Sequence, residues 1–168
     1  GYDYSPLEQD DVLTSEGVQA DIEVKDYGLF SRARITLTME LPKNLESRKT
    51  YRRNACMDVE FLVELRKDSP LITVRMEADN HAKDHRVRVL IPNNLGTEFS
   101  ESDNQFGTIR RPVVDSAMEV WEEEKWSERP DSIYPFLSFV RQENEKGLGV
   151  ITDSVREYEL TGENYNTI

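Results

Sequence analysis

The residues on both sides of the stretch from Ala78 to Pro92 give the clearest indication of the fold. This stretch runs Ala-Asp-Asn-His-Ala-Lys-Asp-His-Arg-Val-Arg-Val-Leu-Ile-Pro. Apolar residues stand at alternate positions from Ile72 to Ala78, before its polar centre, and again from Val87 to Ile91 after it. Alternation with a period of two is typical of strands that are buried on one face. The sequence therefore predicts two half-buried strands joined by a polar connection that contains both histidines of the chain.

The same alternation predicts further strands along the chain. They cover residues 18–24, 33–41, 57–65 and 71–77 before the polar connection, 86–91 directly after it, and 106–112, 134–140, 148–152 and 156–160 later. No convincing helix separates the first five strands, which favours an all-β, antiparallel β-sandwich over an α/β sheet. We expect residues 1–17 to be an extended entry segment, 18–162 to be the sandwich domain, and 163–168 to be a frayed end.

Composition narrows the classes of partner. The 168 residues carry a formal net charge of −12, which repels phosphate backbones and anionic lipid surfaces, so nucleic acid and membranes are not expected as partners. The single cysteine cannot form an internal disulfide, and the N-terminus lacks a signal-peptide pattern. These two features predict a cytoplasmic protein. The electrostatic field of the negative net charge does not repel a neutral ligand such as a sugar.

Three short motifs follow one another along the chain. They are Gly-Tyr-Asp-Tyr-Ser-Pro at residues 1–6, Asp79-Asn80 followed by Ala-Lys-Asp-His-Arg-Val-Arg-Val at 82–89, and Phe-Gly-Thr-Ile-Arg-Arg-Pro at 106–112. In this order the motifs resemble the C-terminal half of the family 38 glycoside hydrolases, the α-mannosidases. The resemblance covers only part of such an enzyme, because nothing in the sequence resembles the α/β barrel with which those enzymes begin.

The resemblance implies a β-domain of the galactose-mutarotase-like super-sandwich type, within a parent enzyme that hydrolyses α-mannosidic bonds with retention. It also implies that the N-terminal barrel of the same polypeptide supplies a zinc ion and a nucleophilic aspartate, so that this chain has no catalytic residue and no cofactor of its own. The chain would be structural, would complete a wall of the sugar cleft, and would be inactive alone. Its partners would be that barrel and a mannose-containing oligosaccharide or glycoside, with a homo-oligomer as a further option.

The resemblance also suggests which residues lie near the sugar. Asp3 and Tyr4 would approach the site from the entry segment, although the aromatic residues there could instead pin the linker to the sandwich. Asp84, His85 and Arg86 would shape the cleft wall. The alternative is a purely structural network, in which Asp84 accepts hydrogen bonds from Arg86 or from amides of the turn and a carboxylate orients His85.

Two other patterns have competing interpretations. His81 and His85 have a spacing that suits zinc on a helix, with Asp84 as an oxygen ligand, but the segment is predicted to be a strand connection and no metal site is expected. Trp121 and Trp126 flank three glutamates and could stack on a sugar ring or simply pack. If they bind sugar, the chain could be a stand-alone carbohydrate-binding or protein-interaction sandwich. The basic run at 48–53 is expected to be a solvated loop or edge strand rather than a docking surface.

Overall fold

The computed structural model describes residues 12–168, and antiparallel strands dominate it. In chain order the elements are β1 (Ala20–Asp26), β2 (Phe30–Leu41), α1 (Leu45–Lys49), β3 (Ala55–Arg66), β4 (Ile72–Asn80), β5 (Phe99–Asn104), β6 (Gly107–Pro112), α2 (Ala117–Val120), β7 (Ile133–Pro135), β8 (Phe139–Glu143), β9 (Gly147–Ile151), β10 (Glu157–Glu159) and a 3₁₀ turn (Glu163–Tyr165). The predicted class, an all-β chain of antiparallel sheets consistent with a β-sandwich, is confirmed. No helix within residues 12–168 is long and apolar enough to cross a membrane.

The chain divides into two compact units, Gly1–Val87 and Arg88–Ile168. The first unit, described from residue 12 onward, contains one sheet with the strand order β1-β2-β3-β4. The second unit contains a four-stranded sheet in the order β6-β5-β8-β9 and a two-stranded sheet of β10 and β7. The single sandwich domain expected over residues 18–162 stays a prediction.

The sheet of the first unit is built from two hairpins. Gly28 lies in the turn between β1 and β2 with φ +81°, a conformation that a side chain would strain, and its amide donates to the Asp26 carboxylate at 2.8 Å. β2 and β3 then pair over their whole lengths, from Phe30 opposite Arg66 to Leu41 opposite Ala55. The four strands that alternation predicts in this region are all present.

Alternation gives this sheet one apolar face, and only one end of that face is covered. Leu41, Met57 and Val59 form a buried cluster with Ala82. Toward the other end the apolar side chains are open to solvent. They are called the open apolar surface below: Ile22 (65% exposed), Val24 (67%), Leu65 (50%), Ile72 (62%) and Val74 (55%).

The second unit has shorter strands and a more complete core. Its buried cluster consists of Phe136, Val140, Tyr158, Leu160 and Ile168. Polar residues are also fully enclosed in this unit, and they are Ser100, Ser102 and Gln142. Buried polar groups cost stability unless they find hydrogen-bond partners, so their contacts are part of the packing of this unit.

Several segments differ from the sequence predictions. Residues 86–91 are not a strand, so the polar connection follows β4 without a second strand behind it. The strand predicted over 134–140 is two separate strands, β7 and β8. The basic run begins inside the helix α1 rather than in a loop or edge strand.

The predicted frayed end is also wrong, because the C-terminus is packed. Ile168 is buried, and it exchanges two backbone hydrogen bonds with Ile91 at 2.8 and 3.2 Å. Burial of an apolar side chain together with a pair of ladder-type hydrogen bonds fixes the last residue of the second unit.

Candidate functional site

A groove of about 630 Å³ lies in the first unit, with polar side chains of β3 and β4 along it. Its acidic lining residues are Asp21, Asp58, Glu60, Glu77 and Asp79. In the register of the sheet, Asp58 stands opposite Asp79 and Glu60 stands opposite Glu77. Like charges in directly opposite positions destabilise a sheet, so these four carboxylates lower the stability of the first unit. The hydrophobic pattern of the strands does not require them.

Two neighbouring side chains partly offset that cost. The Arg34 guanidinium donates to the Glu60 carboxylate from Nε at 2.8 Å and from Nη2 at 2.5 Å. The Thr38 hydroxyl donates to Asp58 Oδ1 at 2.6 Å. The groove therefore offers hydrogen-bond acceptors beside a hydroxyl and a cation, which is chemistry that suits a neutral polyhydroxylated ligand better than an anion.

The motif residue Asp79 is the link between the groove and the polar connection. It lies near the end of β4 and its carboxylate is 3.4 Å from Nε2 of His81. The next residue, Asn80, accepts a hydrogen bond from the Ala82 amide at 3.0 Å, and this turn directs Ala82 into the buried cluster of the first unit. The connection is thus anchored by one apolar side chain between polar ones.

The contacts described around Asp84 and His85 are made with backbone groups, and the network in which the Asp84 side chain accepts from Arg86 or from amides of the turn stays a prediction. His85 Nδ1 lies 3.3 Å from the Lys83 carbonyl oxygen, so the partner is a backbone group rather than a carboxylate. The backbone carbonyl of Asp84, not its side chain, accepts from the Arg48 guanidinium at 2.8 Å. Asp84 also has φ +59°, which aspartate tolerates better than most residues.

Donor sets for a metal ion do not assemble in this region. Within residues 12–168 there is no group of three or more histidine, cysteine, aspartate or glutamate side chains that could hold one. His81, His85 and Asp84 are therefore not brought together as a zinc site. Asp3 and Tyr4, the remaining substrate-proximal candidates of the first unit, lie outside the described residues.

The two tryptophans lie in the second unit, after α2. The Trp126 amide donates to the Trp121 carbonyl at 3.0 Å, and the Trp126 indole N–H donates to the Glu124 carboxylate at 2.8 Å. Trp126 is 43% exposed, so one aromatic ring is accessible and held by a polar contact at its edge. The sugar-stacking hypothesis for Trp121 and Trp126 stays a prediction.

Sequence reasoning missed a cluster around Arg111, the second arginine of the motif at 106–112. Nη1 of Arg111 donates to the Ser102 hydroxyl at 2.5 Å and approaches the Tyr158 hydroxyl at 3.4 Å. Tyr158 in turn shares a hydrogen bond of 2.9 Å with Ser100. The Arg111 guanidinium also lies 4.9 Å from the ring centroid of Tyr134. Both serines lie outside every strand that alternation predicts, so only the arginine of the motif could have signalled this cluster.

Burial raises the pKa of the Tyr134 hydroxyl, and the nearby Asp115 carboxylate raises it further, so this phenol stays neutral at physiological pH. The cluster therefore combines one cation with neutral hydroxyl groups. Cation–π contact and hydroxyl acceptors together can hold a half-buried guanidinium in one orientation.

The fold and the groove together show an all-β domain with a carboxylate-lined groove in its first unit. The comparison with known families makes this specific. Residues 1–168, the whole chain, match the model of the glycosyl hydrolases family 38 C-terminal domain. The chain belongs to this family and is a glycoside hydrolase-related domain. No curated protein sequence matches it.

Proposed function

We propose that the chain is the C-terminal β-domain of an α-mannosidase that hydrolyses α-mannosidic bonds with retention, and that it is inactive by itself. Its function is to cover the catalytic barrel of the same polypeptide and to complete one wall of the cleft that receives a mannose-containing substrate. Family membership supports the glycosidase assignment. The cytoplasmic location expected from the cysteine content belongs to the same proposal.

The observation that carries the structural role is the open apolar surface of the first unit. Five aliphatic side chains on one sheet face are each at least half exposed, while the same face is buried at its other end. Contiguous exposed apolar residues mark interaction sites in soluble proteins. Each Å² of this apolar surface that a docked catalytic domain buries would stabilise the contact by about 25 cal/mol.

The zinc ion and the nucleophilic aspartate of the proposed reaction belong to the barrel, and no step of the chemistry is assigned to this chain. Asp84, His85 and Arg86 remain the proposed cleft-wall residues, with Asp3 and Tyr4 as proposed neighbours of the sugar. The acidic groove beside Asp79 offers acceptors for sugar hydroxyl groups, and this contact would help to orient a substrate without transferring a proton.

The test is complementation. The purified chain is expected to show no hydrolysis of an aryl α-mannoside, and mixing it with the separately produced preceding part of its native polypeptide is expected to yield activity. Ile22→Asp and Val24→Asp should each weaken that complementation about tenfold or more, because a buried unpaired carboxylate opposes docking. The matched control is Ile151→Asp, at an aliphatic residue of the second unit that is 76% exposed.

Hydrolysis by the chain alone, abolished by a chelator, would contradict the inactive role. Complementation that Ile22→Asp and Val24→Asp leave unchanged would show that docking uses another surface.

A stand-alone carbohydrate-binding domain is the alternative, and the accessible ring of Trp126 is the observation that favours it. This alternative predicts that mannosides change the tryptophan fluorescence of the chain, and that Trp126→Ala removes the change while Trp121→Ala reports on packing. The structural role predicts no saturable change.

A further inference from the structure

The last strand of the first sheet has an open edge. Within the described residues, β4 pairs with β3 on one side and with no strand on the other. It runs for nine residues, Ile72–Asn80, without proline, glycine or bulge, and all but one of these residues are exposed. Native proteins usually protect such edges, because a row of unpaired backbone groups is a template for another strand.

The backbone of β4 shows which residues face that edge. The His81 amide donates to the Cys56 carbonyl at 3.2 Å, one step beyond the last pair of the ladder, where Met57 stands opposite Asn80. Hydrogen-bonded and non-hydrogen-bonded pairs alternate in an antiparallel ladder. The backbone groups of the odd-numbered residues of β4 therefore point to β3, and those of the even-numbered residues, from Ile72 to Asn80, point to the open edge.

The side chains of β4 are complementary to those of a second β4 in one register. When two copies pair antiparallel about a two-fold axis at Met76, all nine residues overlap and the even-numbered residues meet one another as hydrogen-bonded pairs. Arg75 of each copy then stands opposite Glu77 of the other, and Val74 stands opposite Ala78. Arg75 and Glu77 lie in a non-hydrogen-bonded pair, the type in which side chains approach most closely.

Neighbouring registers lack this complementarity. A shift in one direction places Arg75 opposite Arg75 of the second copy, and a shift in the other places Glu77 opposite Glu77. The strand at the opposite edge of the sheet, β1, also lacks this complementarity. If two copies of β1 paired antiparallel over their whole lengths, Glu23 of one copy would stand opposite Glu23 of the other. Like charges in opposite positions are destabilising, so the charges of β4 select one partner and one register.

The charges already present in one copy favour the same contact. Arg75 and Glu77 form an ion pair of 2.5 Å within β4, with side chains 71% and 59% exposed. Glu77 also faces Glu60 of β3, so it stands beside a like charge within its own sheet. Arg75 of a second copy would add a further counter-charge to this acidic part of the sheet, beside Arg34 and the Arg75 of the same copy.

We propose that β4 is the interface of a homodimer, in which two copies pair edge to edge about Met76 and form one continuous eight-stranded sheet. The contact is isologous, so it closes as a dimer and leaves no β4 edge for further growth. The contact consists of backbone hydrogen bonds along the β4 edge and of side-chain pairs on the polar face of the sheet. The proposal does not depend on the proposed mannosidase function.

The test is the oligomeric state of the purified protein by sedimentation velocity at about 0.15 M salt, where a Debye length of about 8 Å screens the net charge of −12 on each copy. The wild-type protein should dimerise. Arg75→Glu and Glu77→Arg should each weaken the dimer on the order of 10- to 100-fold, because two opposite-charge pairs become two like-charge pairs. Glu23→Arg on β1 is the matched control and should have no effect.

Two further variants separate a lost interface from a lost fold. The double variant R75E/E77R restores opposite charges and should dimerise again. An equimolar mixture of the R75E and E77R proteins should form a heterodimer, although each alone is monomeric. Failure of both rescues, in variants whose circular dichroism is native, would overturn the proposal.

A cross-link tests the register. In a Cys56→Ser background, Met76→Cys should be joined to Met76→Cys of the second copy by a short bifunctional thiol reagent, since a hydrogen-bonded pair places the two Cα atoms about 5.5 Å apart. Thr73→Cys should not cross-link, because its opposite residue is Asp79. A wild-type protein that stays monomeric at every accessible concentration, or a dimer that Arg75→Glu and Glu77→Arg leave intact, would also contradict the proposal.

Discussion

The first unit has long strands and little core, whereas the second has short strands and a closed core. β2 and β3 each extend for 12 residues and pair throughout, yet Val24 and Val74 at one end of the same apolar face are more than half exposed. In the second unit, strands of three to six residues enclose Val140 and Gln142 almost completely. Long, regularly paired strands in this protein therefore do not ensure that the side chains on them are buried.

The difference supports the proposed docking role of the first unit. A sheet with an open face and an open edge is suited to meeting other surfaces, because the apolar area that it leaves exposed is stabilised only by a partner. A unit that buries both apolar and polar side chains is suited to holding its own shape. We expect substitutions to distinguish the two, and both tryptophans lie in the second unit, so their fluorescence reports directly on that unit.

The largest effect is expected at Phe136. Its ring is 4% exposed and packs edge-on against Tyr158, with centroids 5.8 Å apart. Phe136→Ala should lower the free energy of unfolding by about 3–5 kcal/mol, because it removes a buried aromatic ring and leaves a cavity. Urea unfolding followed by tryptophan fluorescence measures this loss.

The control is Phe106, at the tip of the β5–β6 hairpin and 97% exposed. Phe106→Ala should change the free energy of unfolding by less than about 0.5 kcal/mol. Equal losses for the two variants would show that the second unit has no closed core.

An intermediate effect is expected at Gln142. Its amide donates to the Thr97 hydroxyl at 3.0 Å and the Tyr165 carbonyl at 2.8 Å, and it accepts from the Asn93 side chain at 2.7 Å. Gln142→Leu keeps the volume but removes all three of these hydrogen bonds inside the unit, which should cost about 1–3 kcal/mol. Thermal unfolding is the measurement, with exposed Gln105→Leu as the control. A stability of Gln142→Leu equal to wild type would mean that water replaces the lost contacts.

The sequence was most informative where one side of a strand faces a core and the other faces solvent. The alternation that predicted the four strands of the first unit is a direct consequence of that environment. It also predicted a strand at 86–91, where Val87 and Val89 alternate correctly but remain about half exposed and outside any ladder. Alternation shows that a segment could form a strand, but a strand also needs a neighbour with which to exchange hydrogen bonds.

Polar residues inside the second unit were beyond prediction for a related reason. Ser100 and Ser102 lie outside every strand that alternation predicted, yet they are buried because Tyr158, from a distant part of the chain, and Arg111, from the neighbouring strand, provide hydrogen-bond partners. Such partners depend on tertiary contacts that a period in the sequence does not encode. The groove has the same origin, since Asp58 and Asp79 become neighbours only through the register of β3 and β4.

The smallest expected effect depends on pH and concerns Asp103 in the second unit. Partial burial acts to raise the pKa of this carboxyl, but hydrogen bonds from the Ser138 hydroxyl and from the amides of Ser138, Phe139 and Leu137 outweigh it and hold the pKa well below its usual range. A carboxylate whose pKa is lower in the folded than in the unfolded state adds stability above its unfolded value of about 3.9, and that contribution is lost as the pH falls below it.

Asp103→Asn should therefore be less stable than wild type at pH 7, and the two should converge as the pH is lowered below about 4. Urea midpoints followed by tryptophan fluorescence between neutral and acidic pH measure this convergence. Asp58→Asn is the matched control in the first unit, where the carboxylate accepts a hydrogen bond from the Thr38 hydroxyl. This control should leave the tryptophan-detected transition unchanged, because both tryptophans lie in the other unit.

A constant difference between Asp103→Asn and wild type at every pH would mean that Asp103 acts through its shape rather than its charge. The contrast between a unit held by internal polar contacts and one open to partners would then depend on Gln142 and the Arg111 cluster instead.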